Sequence, residues 1–118
     1  MATRSTIDSR AATSKSIDPG LRSPGFRNSQ RLADHYAKHG REFGTITKAE
    51  YLSMAQDLRD APLSETVIET AQKDGTVSRF DRATGAFMAF DTDLTIRTFF
   101  KPSDGEAYFR RAAKLSHR

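Results

Sequence analysis

The chain has no cysteine and no tryptophan among its 118 residues, and only four prolines. The missing cysteine excludes disulfides, thiolate metal ligands and cysteine nucleophiles together. It leaves the redox compartment open and suits a domain that is exported and refolded without mispaired bridges. No stretch reaches the roughly 18 consecutive apolar residues of a membrane span. The first thirteen residues carry no apolar run behind their basic side chains, so they do not read as a cleaved signal peptide. If the protein leaves its cell, another segment has to carry it.

Little of the positive charge belongs to the folded part. Residues 1–30 hold Arg4, Arg10, Lys15, Arg22 and Arg27 against Asp8 and Asp18, a balance of +3 out of the chain's +4. The remainder is nearly neutral, so the high isoelectric point describes the leading segment more than the domain. That segment is rich in Ser, Thr, Ala and Arg, is broken by Pro19-Gly20 and Pro24-Gly25, and lacks apolar periodicity. Residues 1–25 are expected to be a flexible tail or linker, and residues 26–118 a single domain with Phe26 as its first anchored side chain. A basic tail of this kind supports non-specific contact with nucleic acid and nothing sharper.

What is present is periodicity. Asn28 or Ser29 can cap a helix that runs to His39, with Gly40 expected in the left-handed position that ends it. Thr47 with Glu50 is a capping box that opens a second helix, with Tyr51, Met54, Ala55 and Leu58 on one face and Pro62 beyond its end. The period then changes to two. Strands are expected over 66–72, 76–81, 86–91 and 94–100, with turns at Asp74-Gly75, Ala83-Thr84-Gly85 and Thr92-Asp93. In the last strand, strict alternation would put Leu94, Ile96, Thr98 and Phe100 on one face and Thr95, Arg97 and Phe99 on the other. Ser103 or Asp104 can cap a closing helix through Tyr108, Phe109, Ala112 and Leu115. The expected fold is α+β: two helices, a four-stranded antiparallel meander and a short C-terminal helix.

Two of the three histidines lie one helical turn apart. Leu32, His35, Tyr36 and His39 form one stripe, which turns both imidazoles towards the interior or a cleft, while Arg31, Asp34 and Lys38 face solvent or the cleft edge. Packing alone is the plainer account of such a pair. A shared metal is another, but the residue after His35 is Tyr36 where a zinc-protease helix needs a catalytic Glu, and only a carboxylate could supply a third ligand. The expectation is therefore no metal and no cofactor. Metal-independent cleavage of a phosphodiester needs a base, an acid and cations for the charge that builds on phosphorus. Histidine suits the first two roles near neutral pH. Arg97, in mid-strand beside Thr95, and Lys101 at the strand end suit the third, although a cation on the solvated face of an antiparallel sheet is common by itself.

The segments Asp34-His-Tyr-Ala-Lys-His-Gly-Arg-Glu-Phe-Gly44, Glu50-Tyr-Leu-Ser-Met-Ala55 and Thr95-Ile-Arg-Thr-Phe-Phe-Lys-Pro102 resemble the C-terminal nuclease domains of bacterial polymorphic toxins. These include contact-dependent growth inhibition and Rhs-type effectors, in the group that shares a fold with barnase, EndoU, colicin D, colicin E5 and RelE. The resemblance covers about residues 26–112. It implies a metal-independent ribonuclease, often directed at transfer RNA, that is secreted within a larger effector, delivered into the cytoplasm of a competitor and held in check by a cognate immunity protein. That partner would be acidic where it covers the active-site cations, and the domain otherwise monomeric. On this basis His35 and His39 are general acid and base, Arg97 and Lys101 stabilise phosphate charge, and Thr95 bonds a phosphate oxygen. Tyr36, Lys38 and Thr98 are weaker, substrate-binding candidates; Thr98 shares the face of Arg97 only if a bulge intervenes. The competing expectations are a nucleic-acid-binding module without catalysis, and an interaction domain of a phage or secretion system in which the histidines only pack.

Overall fold

The computed structural model describes residues 24–116, with side chains to residue 114, so most of the expected tail and His117 lie outside the described residues. Helix α1 (Ser29–His39) and helix α2 (Lys48–Asp60) precede strands β1 (Val67–Ala71), β2 (Val77–Asp81), β3 (Ala86–Phe90) and β4 (Ile96–Phe100), and helix α3 (Glu106–Ser116) follows. The strands pair antiparallel in sequence order, β1-β2-β3-β4. The α+β meander read from the sequence is the observed fold.

Local chemistry accounts for the element ends. The Asn28 side chain accepts the Arg31 backbone N–H at 2.9 Å and starts α1. At the helix's other end the expectation fails in an instructive way. Gly40 has φ −54 and stays right-handed, and the chain tightens into a single 3-10 turn, Gly40–Phe43, before Gly44 takes the positive φ of 100. Gly40 is needed for room, because a Cβ there would stand 2.7 Å from the Tyr36 ring. The capping box of α2 forms in full, Glu50 N–H to Thr47 Oγ1 at 3.0 Å and Thr47 N–H to Glu50 Oε1 at 2.7 Å. Its C-terminus is closed by a strand residue, with the Arg79 guanidinium donating to the carbonyls of Leu58 at 3.0 Å and Ala61 at 2.6 Å.

The main core lies between α2 and one sheet face. Tyr51, Leu52, Ala55 and Leu58 meet Ala86, Met88, Phe90, Ile96 and Phe99, with Phe26 at the margin. On the opposite face α3 covers a smaller cluster of Phe80, Phe87 and Phe109.

Strand β4 departs from strict alternation. Ala89 pairs with Thr98 but Phe90 pairs with Ile96, so Arg97 is an extra residue opposite no single partner. This β-bulge puts Ile96 and Phe99 together in the core and leaves Thr98 and Phe100 on the other face. The face assignment expected for Ile96 and Phe99 is thereby corrected, and Arg97 and Thr98 become neighbours at the kink. The strand also begins at Ile96, after a turn in which Leu94 holds φ 74, a left-handed conformation uncommon for a branched apolar side chain.

Candidate active site at the seam of α1 and β4

Helix α1 runs alongside β4, in the same direction. Arg31 lines a hollow with Ile96 and Arg97 near the strand's start, and the His39 ring lies 5.1 Å from that of Phe100 at its end. The lengths agree: eight helical residues rise about 12 Å and four strand residues about 13 Å. Arg31, His35 and His39 are therefore spaced along the whole strand. The strand is an edge. Among the described residues its outer side is met by backbone only where Phe26 forms a parallel bridge to Ile96, with the Ile96 N–H donating to Gly25 O at 2.9 Å. No residue of α1 is fully buried, so the seam stays accessible.

The two histidines are brought together, with ring centroids 6.2 Å apart. His35 packs on Phe26 at 5.0 Å. Burial, reinforced by the nearby His39 and Arg31, disfavours its imidazolium and lowers its pKa below the ordinary histidine value. It is therefore neutral at neutral pH. His39 has a defined partner, with Nδ1 2.9 Å from Glu42 Oε2. The other Glu42 oxygen, Oε1, accepts the Lys101 backbone N–H at 2.8 Å. With Glu42 ionised the shared hydrogen is on Nδ1, which leaves Nε2 as the reactive nitrogen. The carboxylate thus ties the histidine to the end of β4 and fixes its tautomer.

The other candidates separate into two groups. Arg97 and Thr95 lie at the strand's start, in the wall of a hollow of about 190 Å³ shared with Phe26, Arg27, Arg31, Asp91 and Ile96. There Asp91 pairs with two arginines, Arg97 at 3.0 Å and Arg27 at 3.2 Å. Lys101 lies at the strand's other end, its ammonium 5.1 Å from the centroid of the Phe43 ring and in the wall of a largely apolar cavity of about 310 Å³. Thr98 is half-buried beside the bulge and Lys38 is exposed on α1. Tyr36 is turned into the packing, its hydroxyl donating to Ile46 O at 2.5 Å and its ring 5.9 Å from Tyr51.

Four contributors escaped the sequence reading. Glu42 stands three residues after His39, a spacing that signals contact only if the backbone keeps turning through Gly40. Arg31 is one turn before His35 and continues the 35/39 ladder towards β4. Asp91 and Arg27 are 64 residues apart, and no local pattern joins them. The described residues contain no group of three His, Cys, Asp or Glu side chains suited to hold a metal ion.

No protein-family model matches the chain, and no curated protein matches it. Among solved structures it is similar to a ribonuclease from Escherichia coli complexed with its inhibitor protein, with 19% identity and a TM-score of 0.44 over 67% of this chain and 95% of that one. A likeness at that level decides neither fold nor chemistry, and both rest on the geometry of the chain itself.

Proposed function

We propose that this domain is a metal-independent endoribonuclease of the bacterial toxin type. The observation that carries the proposal is the paired imidazoles on the accessible seam of an edge strand, one neutral and one oriented by a carboxylate. Neutral His35 takes the proton from a ribose 2′-hydroxyl, and His39 Nε2, once protonated, gives one to the leaving 5′-oxygen. The surroundings of His35 favour the neutral form that a base needs, and the arginines along the same seam hold the anionic chain in place. Transfer RNA as the substrate, delivery into a target cell as part of a larger effector and neutralisation by a cognate immunity protein complete the proposal. They rest on the sequence resemblance, and the cationic hollow at the end of the seam away from His39 suits an acidic partner.

The test is incubation of the purified domain with total RNA in excess chelator, beside His35→Ala and His39→Ala variants verified as folded by circular dichroism. Cleavage that survives chelation and is lost in both variants is the expected result. RNA that is shifted on a gel but left intact would instead identify a binding module, and neither cleavage nor binding would leave the histidines a packing role.

A further inference from the structure

At the start of β4, Arg27, Arg31 and Arg97 converge on one hollow that contains a single acidic side chain, Asp91. The Asp91 carboxylate is engaged at both oxygens, Oδ1 by Arg97 at 3.0 Å and Oδ2 by Arg27 at 3.2 Å. The three arginines are exposed, and just outside the lining the charge of Arg27 reaches Asp93 and that of Arg97 reaches Asp74. The hollow itself is lined by the cations, and with the N-terminus of α1, capped at Asn28, at the same end they favour an anion there.

The hollow is also displaced from the imidazoles. Phe26, against whose ring His35 packs, forms part of its wall, and His39 lies at the far end of the strand beside Phe100. The charge of Arg31 is felt at His35, whereas Arg27 and Arg97, gathered around Asp91 at the strand's start, are sited for the next phosphate of a chain laid along β4.

We propose that the hollow is a separate subsite for a backbone phosphate neighbouring the scissile one, in which Asp91 is the internal counter-ion that the phosphate displaces. This rests on the ribonuclease reading for its substrate but makes a claim of its own: Arg31 and Arg97 act on binding, and Asp91 opposes it. Arg27 and Arg97 each already donate one guanidinium nitrogen to one oxygen of the Asp91 carboxylate, and a phosphodiester presents a similar pair of oxygens.

The experiment has two arms. In the first, a single-stranded oligodeoxynucleotide, which lacks the 2′-hydroxyl and is not cut, is titrated by fluorescence anisotropy over a range of salt. Arg31→Gln and Arg97→Gln should each weaken binding several-fold and lower the slope of log Kd against log salt by about 0.7, one phosphate contact. Asp91→Asn, which keeps the side chain's shape, should tighten binding several-fold; a merely structural Asp91 would show no change or a loss. In the second arm, kcat/KM is compared for a dinucleotide with one phosphate and for trinucleotides with a further phosphate on either side. Wild type should gain about tenfold from the phosphate on one side, and the arginine variants should lose that gain, so that their loss is several-fold larger on the trinucleotide than on the dinucleotide.

Unchanged affinity and salt slope in both arginine variants would overturn the proposal, as would an equal loss on dinucleotide and trinucleotide, which would put Arg97 at the scissile phosphate. If no RNA is cut but the oligodeoxynucleotide arm behaves as expected, the subsite stands and the nuclease reading falls. If the histidine variants abolish cleavage and the arginine variants change nothing, the reverse holds.

Discussion

Helices α1 and α2 lie on the same side of the sheet and share almost nothing else. Helix α2 buries Tyr51, Leu52, Ala55, Gln56, Leu58 and Arg59, whereas α1 buries none of its residues fully. The inward stripe of α2 is apolar and finds β3 and β4 across a closed core. That of α1 carries two imidazoles and meets the last strand of the sheet, whose outer side, among the described residues, is met by backbone only at the Phe26 bridge. The contrast assigns one helix to stability and the other to presenting polar rings, and it predicts opposite consequences for mutations on equivalent faces.

The largest expected effect is on α1. His39→Ala should reduce RNA cleavage by roughly 10²- to 10⁴-fold, the usual worth of a positioned general acid or base, while the unfolding free energy in urea falls by about 1 kcal/mol or less. Tyr51→Ala on α2 should do the reverse. Its side chain is wholly buried, touches the Phe26, Tyr36, Phe43 and Phe99 rings, and donates to the Phe99 carbonyl. Burial raises the phenol pKa, so the group stays a neutral donor. Its loss should cost about 3–5 kcal/mol in urea unfolding, the range for a buried aromatic cut to alanine, with the specific activity of the remaining folded fraction little changed. Equal stability losses in the two variants would erase the contrast.

The same division explains which parts were legible in the sequence. Asn28, the Thr47–Glu50 box, Asp74-Gly75 and Gly85 act through neighbours within a few residues, and each is found at the helix end or turn it signals. The α1 stripe was legible for the same reason. What stayed hidden depends on pairing between distant segments. The bulge at Arg97 appears only when β4 is laid against β3, and it reverses the alternation that a lone strand suggests. Glu42 reaches both His39 and the Lys101 N–H, a partner 59 residues on. Arg59 is a cation in the last turn of α2, just past the apolar stripe, where no neighbour in sequence signals burial. In the fold it is buried, and it donates to Pro24 O and, at 3.1 Å, to Leu94 O.

Arg59 offers an intermediate test, since it lies on the stabilising helix but ties down the two segments that flank the cationic hollow. Arg59→Met keeps most of the volume and leaves the carbonyls of Pro24 and Leu94 without this donor. A loss of about 1–3 kcal/mol is expected, because Leu94 O loses this donor and Pro24 O keeps only Gln56 Nε2, at 3.3 Å. It should come with faster hydrogen exchange at Ile96, whose N–H donates to Gly25 O next to the Arg59 contact. Exchange at Ile96 no faster than in wild type would show that the segment is held by Phe26 alone.

The smallest effect is a titration. The burial of His35 on α1 is felt as a pKa shift, and the shift is downward, because burial first and the neighbouring His39 and Arg31 next disfavour its charged form. In the unfolded chain the group titrates near 6.5, and in the fold below that value. The unfolded state therefore binds more protons in the interval between the two. The stability that neutral His35 contributes is whole above 6.5 and is lost as pH falls through the folded value. Wild type should thus lose urea resistance on acidification through that interval more steeply than His35→Gln, which cannot titrate. Parallel pH profiles for the two proteins would mean that His35 is as well solvated as in the unfolded chain. Its preference for acting as a base at neutral pH would then have to come from the substrate rather than from the fold.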